Sequence, residues 1–494
     1  MRAECFKVDL RFNGEKCEWY GGLCELAIPS ELLKFSPMDA KKKDGSLDEE
    51  GDFESVTAVV GCIKILGAFI GQEGPVQEKL LAKLEKHRVF FDRLRASRVD
   101  ARTFSLLVGC GLPSHTFHVR THSPVDTEAI TQLFDISTRQ ILMQWFDMCE
   151  DDEDAWDFMG LPVRSGGCGA EISSSIRHGA YVSSKFVGLR SLHYHTAQLP
   201  PGAHMKQSTA TAIVHSKKRY LMSQRSARCA RRLELNSMTW SGKFLRAVTQ
   251  KMTSEAFATA VRLRCGAKCA ALPPVMSCVC PSCNGREWEQ RAWIDHVHGL
   301  ANLPGVNATT RHDGVTKHVI HDTVSPHIDA EWEPEALQQF RCTVCGARDV
   351  TSKNAVSHAM ACGIDVLALK RNRSGPDNEI WWKGIDQQFY DFTVINALCP
   401  SHVKTDTDTL VSAVTRDKNA KYVLTGKVPA HKFKVAACFT LGGVTEPTRE
   451  LLTKCARAAN VDPHDIAELF SVHLQHGNAR IIAQALKLAL RAPA

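Results

Sequence analysis

Four side chains in the row Cys342-x2-Cys345-x12-His358-x3-Cys362 have the types and the spacing of a tetrahedral zinc site. Two thiolates come from a tight knuckle, and a His and a Cys come from one helical turn, as a structural Zn2+ requires. The same count recurs upstream in Cys280-x2-Cys283-x12-His296, but Leu300 stands where the downstream module has its last Cys. His298 or the nearby Cys278 is left to complete the sphere. His296-x-His298 strains a helical presentation, because positions i and i+2 do not share a face. One or two structural Zn2+ ions are therefore expected.

A second group is acidic. Pro376-Asp377 is followed by Asp391, 14 residues on, inside the run Phe389-Tyr-Asp-Phe-Thr-Val-Ile395, whose β-branched content predicts a buried strand. Lys418 and Lys421 follow in Asp417-Lys-Asn-Ala-Lys-Tyr422. Two carboxylates on neighbouring strands hold Mg2+, which polarises a phosphodiester and activates water, while a lysine stabilises the developing charge. A Pro-Asp pair is by itself the mark of a turn.

These groups sit in a chain of 494 residues, a length that suggests about three domains. Apolar residues make up 44% and charged residues 23%, which excludes wholesale disorder. The net charge of +7 is too mild to identify a nucleic-acid binder, but its distribution is uneven. Lys217, Lys218, Arg219, Arg225, Arg228, Arg231, Arg232, Lys243 and Arg246 face one acid, Glu234. A helix presenting Arg225, Arg228 and Arg232 on one side would form a positive stripe suited to phosphates, or a solvated face. The N-terminus carries no apolar secretory segment, so the 19 Cys are expected to stay reduced and to favour metal over disulfides. The apolar stretch from Val56 to Gly71 holds Lys64 and is too short to span a bilayer, so a soluble protein is expected.

Apolar periodicity predicts helices from Val76 to about Ser105, over Asp126 to Met148, and along a tail from Glu446 to Leu490. Residues 39–52 read as an exposed loop, and Glu150-Asp-Asp-Glu-Asp154 as a solvated acidic one. Leu161-Pro-Val-Arg-Ser-Gly-Gly-Cys-Gly169 is rich in turn formers.

Taken in order, several segments resemble one family. Arg311-His-Asp313, Glu333-Pro334, Pro376-Asp377, Asp391 with its strand, Lys418 to Tyr422 and Leu441-Gly-Gly443 are similar to the restriction-enzyme-like PD-(D/E)xK endonuclease domain of non-LTR retrotransposons. Arg11 to Cys17, Ile63 to Gly71, Leu106 to Pro113 with Arg120, and Leu161 to Gly169 resemble the end of the reverse-transcriptase palm and the thumb of the same elements. No Tyr/Phe-x-Asp-Asp strand precedes residue 11, so no polymerase activity is expected from this chain.

The resemblance implies a multidomain α plus α/β protein. Its parts would be a mostly helical thumb remnant at 1–170, a basic helical linker at 171–264, a first zinc knuckle at 265–310, a restriction-enzyme-like α/β nuclease at 311–455 with a zinc finger inserted at 342–362, and a helical tail at 456–494. It implies a nuclear protein that nicks target DNA with Mg2+ to prime reverse transcription. Asp377 and Asp391 would bind the ion, Lys418 or Lys421 would act at the phosphate, and Glu333 would assist. Partners would be target DNA, element RNA or a separate polymerase-competent chain, and no membrane. The alternative is a zinc-bearing, nucleic-acid-binding relic without turnover.

Overall fold

The structure is a computed structural model, and the residues it describes are 18–20, 57–59, 62–65, 68–71, 73–191, 206–250, 252–278, 280, 283, 285–298, 302–303, 306–332, 339–341, 350–351, 370–372, 376–382 and 387–490. Cys342, Cys345, His358, Cys362, Glu333, the loop at 39–52 and the Arg11–Cys17 segment lie outside the described residues. What is described is mostly helical with small sheets. No helix among the described residues is long and apolar enough to cross a membrane. The chain divides into two compact units.

The first unit comprises Met1–Leu94, Gly111–Arg139 and Ile172–Val214. Its apolar stretch folds back on itself as an antiparallel hairpin of β1 (Cys62–Ile65) and β2 (Ala68–Gly71). The helix expected from Val76 to about Ser105 is two helices, α1 (Glu73–Ala96) and a short one at Ala101–Leu106 that belongs to the second unit, because the Asp100 carboxylate caps the latter by accepting the Thr103 N–H. Cys62, Phe69, Val76, Leu80 and Ile130 form one core, Ile130 coming from α2 (Glu128–Phe146). The Asp135 carboxylate accepts the Ser173 and Ser174 amides and so caps α3 (Ser173–Ser191). His122 shows its tautomer by its partners: Nε2 accepts the Phe69 N–H at 2.8 Å, so Nδ1 carries the proton and donates to the His118 carbonyl at 3.0 Å.

The second unit comprises Arg95–Cys110, Gln140–Glu171 and His215–Ala494. After α4 (Gln207–Arg225), Ser226 accepts the Cys229 N–H and starts α5 (Ala227–Ser237). Then come α6 (Ser254–Cys265), a hairpin of β3 (Val275–Ser277) and β4 (Glu287–Glu289), α7 (Gln290–Val297) and α8 (Ala308–Val315). A four-stranded sheet follows. β5 (Ala330–Trp332) and β6 (Asn378–Ile380) pair antiparallel, β6 and β7 (Gln388–Ile395) pair antiparallel, and β7 runs parallel to β8 (Phe433–Phe439), with Asp391 opposite Val435. The crossover between the parallel pair carries α9 (Thr407–Tyr422).

The tail is two helices, α10 (Glu446–Ala459) and α11 (Pro463–Ala489), because Asn460 turns left-handed at φ 54° and Pro463 opens a new helix. α11 is the central strut of this unit. Its Phe470 and Leu474 join Tyr390, Phe392 and Ile380 of the sheet, its Ile482 joins Ile395 and Phe439, and its Ile481 and Ala485 join Met276 and Trp293. Arg264 fixes the 161–169 turn. Its buried guanidinium donates to the carbonyls of Gly167 at 2.8 Å, Val163 at 3.0 Å and Asn236 at 3.0 Å.

Candidate functional site

Two groups of reactive side chains stand out in the second unit. The first is built on a short stretch of chain. Met276 and Trp293 bury the β3–β4 hairpin and α7 against α11, and the Trp293 indole N–H donates to the Ser277 carbonyl at 3.0 Å. The knuckle that follows β3 is tight: the Cys283 amide donates to the Cys280 carbonyl at 3.1 Å, and the Arg286 amide to the Cys283 carbonyl at 3.0 Å. Gly285 takes φ 76°, a turn that a side chain would strain.

These elements bring the ligand atoms of Cys278, Cys280, Cys283 and His296 within 4.8 Å of one another, with Cys283 Sγ 3.2 Å from His296 Nε2. Three sulfurs and one imidazole form a Cys3His donor set able to hold a metal such as zinc. Burial pushes the Cys278 thiol up to about 12, with Cys283 adding to the effect, as crowded sulfurs without a counter-charge should behave. The His296 ring stacks on Trp288 at 5.1 Å, and the Arg286 guanidinium lies 4.8 Å from the same indole.

Of the two residues left open for the fourth ligand, Cys278 is in the cluster and His298 is not. His298 is wholly buried, and its backbone carbonyl accepts Arg311 Nη1 at 3.0 Å. Burial, then the Arg311 charge, lowers its pKa to about 3. Two residues of helix turn it away from His296, and Cys278, on the strand side of the knuckle, stands in its place.

The second group is assembled from three distant segments. The Asp377 amide donates to the Tyr390 carbonyl at 2.9 Å, which sets Asp377 beside β7 just before β6 begins. Its Oδ2 accepts the Phe392 N–H at 2.5 Å and lies 3.1 Å from His312 Nε2 on α8. That imidazole nitrogen is also 2.9 Å from the Phe392 carbonyl. Burial alone would weaken the imidazole as a base, but Asp377, Asp313 and the Phe392 carbonyl outweigh it and raise the pKa to about 10.

Asp391, on β7, is 2% exposed. Burial, then the neighbouring Asp377 charge, raises its pKa against the opposing pull of Lys418 and Tyr422. Lys418 Nζ lies 2.5 Å from Asp391 Oδ2. Lys421, one turn along α9, donates to the Tyr422 hydroxyl at 2.8 Å, and burial, then Lys418, lowers its pKa. Asp377, Asp391, Lys418 and Lys421 are thus brought together, and His312 and Tyr422 join them. The two carboxylates repel each other, and each has a basic neighbour, Lys418 at Asp391 and His312 at Asp377. The sequence signal for His312 was its place in Arg311-His-Asp313; Tyr422 followed Lys421 without a role.

The basic residues are placed differently from the expectation. Arg225 ends α4 while Arg228, Arg231 and Arg232 belong to α5, so no single helix presents them as a stripe. Most are engaged by acids. Lys218 and Arg225 pair with Asp157 at 2.7 and 2.6 Å, and Arg225 also pairs with Asp154 at 2.6 Å. Arg228 and Arg232 converge on buried Asp295 at 3.1 and 2.9 Å, and Arg231 pairs with Glu234 at 2.6 Å. Arg219 donates to the Ser237 hydroxyl at 3.1 Å, and Lys217 is exposed. The acidic cluster is likewise not a solvated loop. Asp152 caps the helix Glu153–Gly160, is 4% exposed and pairs with Arg291, which also holds Asp154 at 2.9 Å.

No protein-family model matches the chain, and no curated protein matches it.

Proposed function

We propose that the chain is a Mg2+-dependent DNA endonuclease of the restriction-enzyme-like kind found in non-LTR retrotransposons, with a structural zinc at Cys278, Cys280, Cys283 and His296. The observation that carries the reading is the convergence of Asp377, Asp391, Lys418 and Lys421 from three segments around the interior strand β7. A bound Mg2+ supplies Lewis-acid polarisation of the scissile phosphate and a more acidic water.

The protein's own side chains divide the remaining work. Asp377 and Asp391 hold the ion. His312 and the Phe392 amide fix Asp377 Oδ2 and so orient its carboxylate. Lys418 is engaged by Asp391, which leaves Lys421 to neutralise charge building on the phosphate. The wider role, nicking a target to prime reverse transcription by a separate polymerase chain in the nucleus, rests on the resemblance alone.

A plasmid-nicking assay with Mg2+ tests the reading, comparing the parent with Asp377→Ala and Asp391→Ala. Nicking lost in both variants supports it, and equal nicking in all three overturns it. A binder without turnover is the second reading, favoured by the close Lys418–Asp391 pair, which gives that carboxylate an internal counter-charge. Nucleic-acid binding in a parent that never nicks would establish it.

A further inference from the structure

The structure holds a second basic feature that the ion-paired residues of α4 and α5 do not account for. A cavity of about 650 Å3 opens beside the 161–169 turn, lined among others by Arg164, Trp240, Lys243, Arg246 and His464. No carboxylate is among the described residues that line it. His464 is balanced by Glu468 at 3.3 Å. Arg164, Lys243 and Arg246 have no acidic partner among the described residues, and Arg164 and Arg246 are exposed.

The walls are built rather than incidental. Arg264, wholly buried, donates at once to the Val163 carbonyl on one wall and to the Asn236 carbonyl and Ser241 hydroxyl at the base of the other, at 3.0, 3.0 and 3.2 Å. Gly242 brings the walls together, since a Cβ there would sit 2.3 Å from Val163 Cγ1. Trp240 is held at φ 70°, a left-handed conformation that a bulky side chain avoids unless its surroundings fix it. Its indole backs onto the same apolar cluster as Phe392, the neighbour of Asp391. The segment that lines this cavity runs on through Thr249 and Gln250 into a neighbouring one, shared with Arg480 and with Asp313, which adjoins His312.

We infer that this cavity is a binding site for the phosphodiester backbone of a single nucleic-acid strand, with Arg164, Lys243 and Arg246 as phosphate contacts and Trp240 as an apolar platform for a sugar or base. Three unneutralised cations around one concave surface suit the successive charges of a strand, and an aromatic wall serves any base. A concave pocket with an aromatic lining favours a flexible strand over a duplex. The inference deepens the nuclease reading by naming where a strand is gripped. It does not need the carboxylates to be active.

The test is fluorescence anisotropy of labelled single-stranded DNA and RNA oligonucleotides with the full chain, as a salt series, comparing the parent with Lys243→Glu/Arg246→Glu. A charge-matched control is Lys404→Glu/Arg457→Glu, at exposed positions outside the cavity. Both variants are first shown by thermal melting to fold like the parent, and Lys243→Gln/Arg246→Gln replaces the reversal if it does not. The cavity variant should lose roughly tenfold or more in affinity and flatten the log–log salt slope by about two, while the control changes little. Equal losses in the cavity variant and the control overturn the site. Because binding is read without Mg2+, failure of Asp377→Ala to change nicking would sink the nuclease reading and leave this result standing.

Discussion

The Cys3His cluster and the carboxylate centre are both charge problems, solved in opposite ways. The first gathers three thiols and one imidazole from 19 residues of chain, Cys278 to His296, with no lysine or arginine among its four donors. The second gathers acids and bases from residue 312 to residue 422, so Lys418, Lys421 and His312 offset Asp377 and Asp391 before any ion arrives. The first is therefore left to an added cation for its balance, whereas the second is balanced by its own side chains.

Metal removal should break this contrast most widely. Structural zinc sites are worth about 10–16 kcal/mol of apparent binding energy, so chelation or Cys280→Ser should unfold the β3–β4 hairpin and α7. Metal analysis should lose one zinc per chain in that variant and none in His298→Phe; zinc lost from the His298 variant would restore that residue as a ligand. Next is the seat of α7. Asp295→Ala strips Arg228 and Arg232 of their shared partner and should cost about 3–5 kcal/mol, read as a lower urea midpoint at unchanged slope.

The carboxylate centre should show the reverse profile. Asp377→Ala and Asp391→Ala should lower nicking roughly 10^2–10^3-fold, with Lys421→Met affecting it more than Lys418→Met and with metal content unchanged. A variant that loses zinc as well as nicking would mean that the two regions are not independent.

A last effect lies in the first unit and involves neither group. His115 and His118 are buried, and burial lowers their pKa values to about 3 and about 4 from 6.5. The unfolded chain thus binds more protons than the folded one between these values and pH 6.5. Stability held above pH 6.5 is lost as pH falls, by about 1.4 kcal/mol per pH unit for each proton taken up. Acid unfolding should be shallower in His115→Phe, whose ring keeps the stack on Phe134 at 4.8 Å in the parent; identical curves would show that His115 does not titrate.

Legibility followed sequence distance. Cys280, Cys283 and His296 were readable because ligand chemistry dictates their spacing, and the strand at Phe389–Ile395 because β-branched residues announce it. Asp377 and Asp391 were readable in order but not in contact, since only the β6–β7 register joins them. His298 misled because periodicity cannot say which of two nearby imidazoles faces the core. The basic run misled for a related reason. A list of cations omits their partners, and Asp295, Asp154 and Asp157 reach Arg228, Arg232 and Arg225 from far along the chain.

One consequence of α11 concerns timing. Three apolar clusters that underlie the cysteine knuckle and the sheet draw side chains from this helix, which the ribosome makes after all the elements it supports. A nascent or prematurely terminated polypeptide cannot close those clusters. Closure of these clusters therefore waits until synthesis has passed this helix.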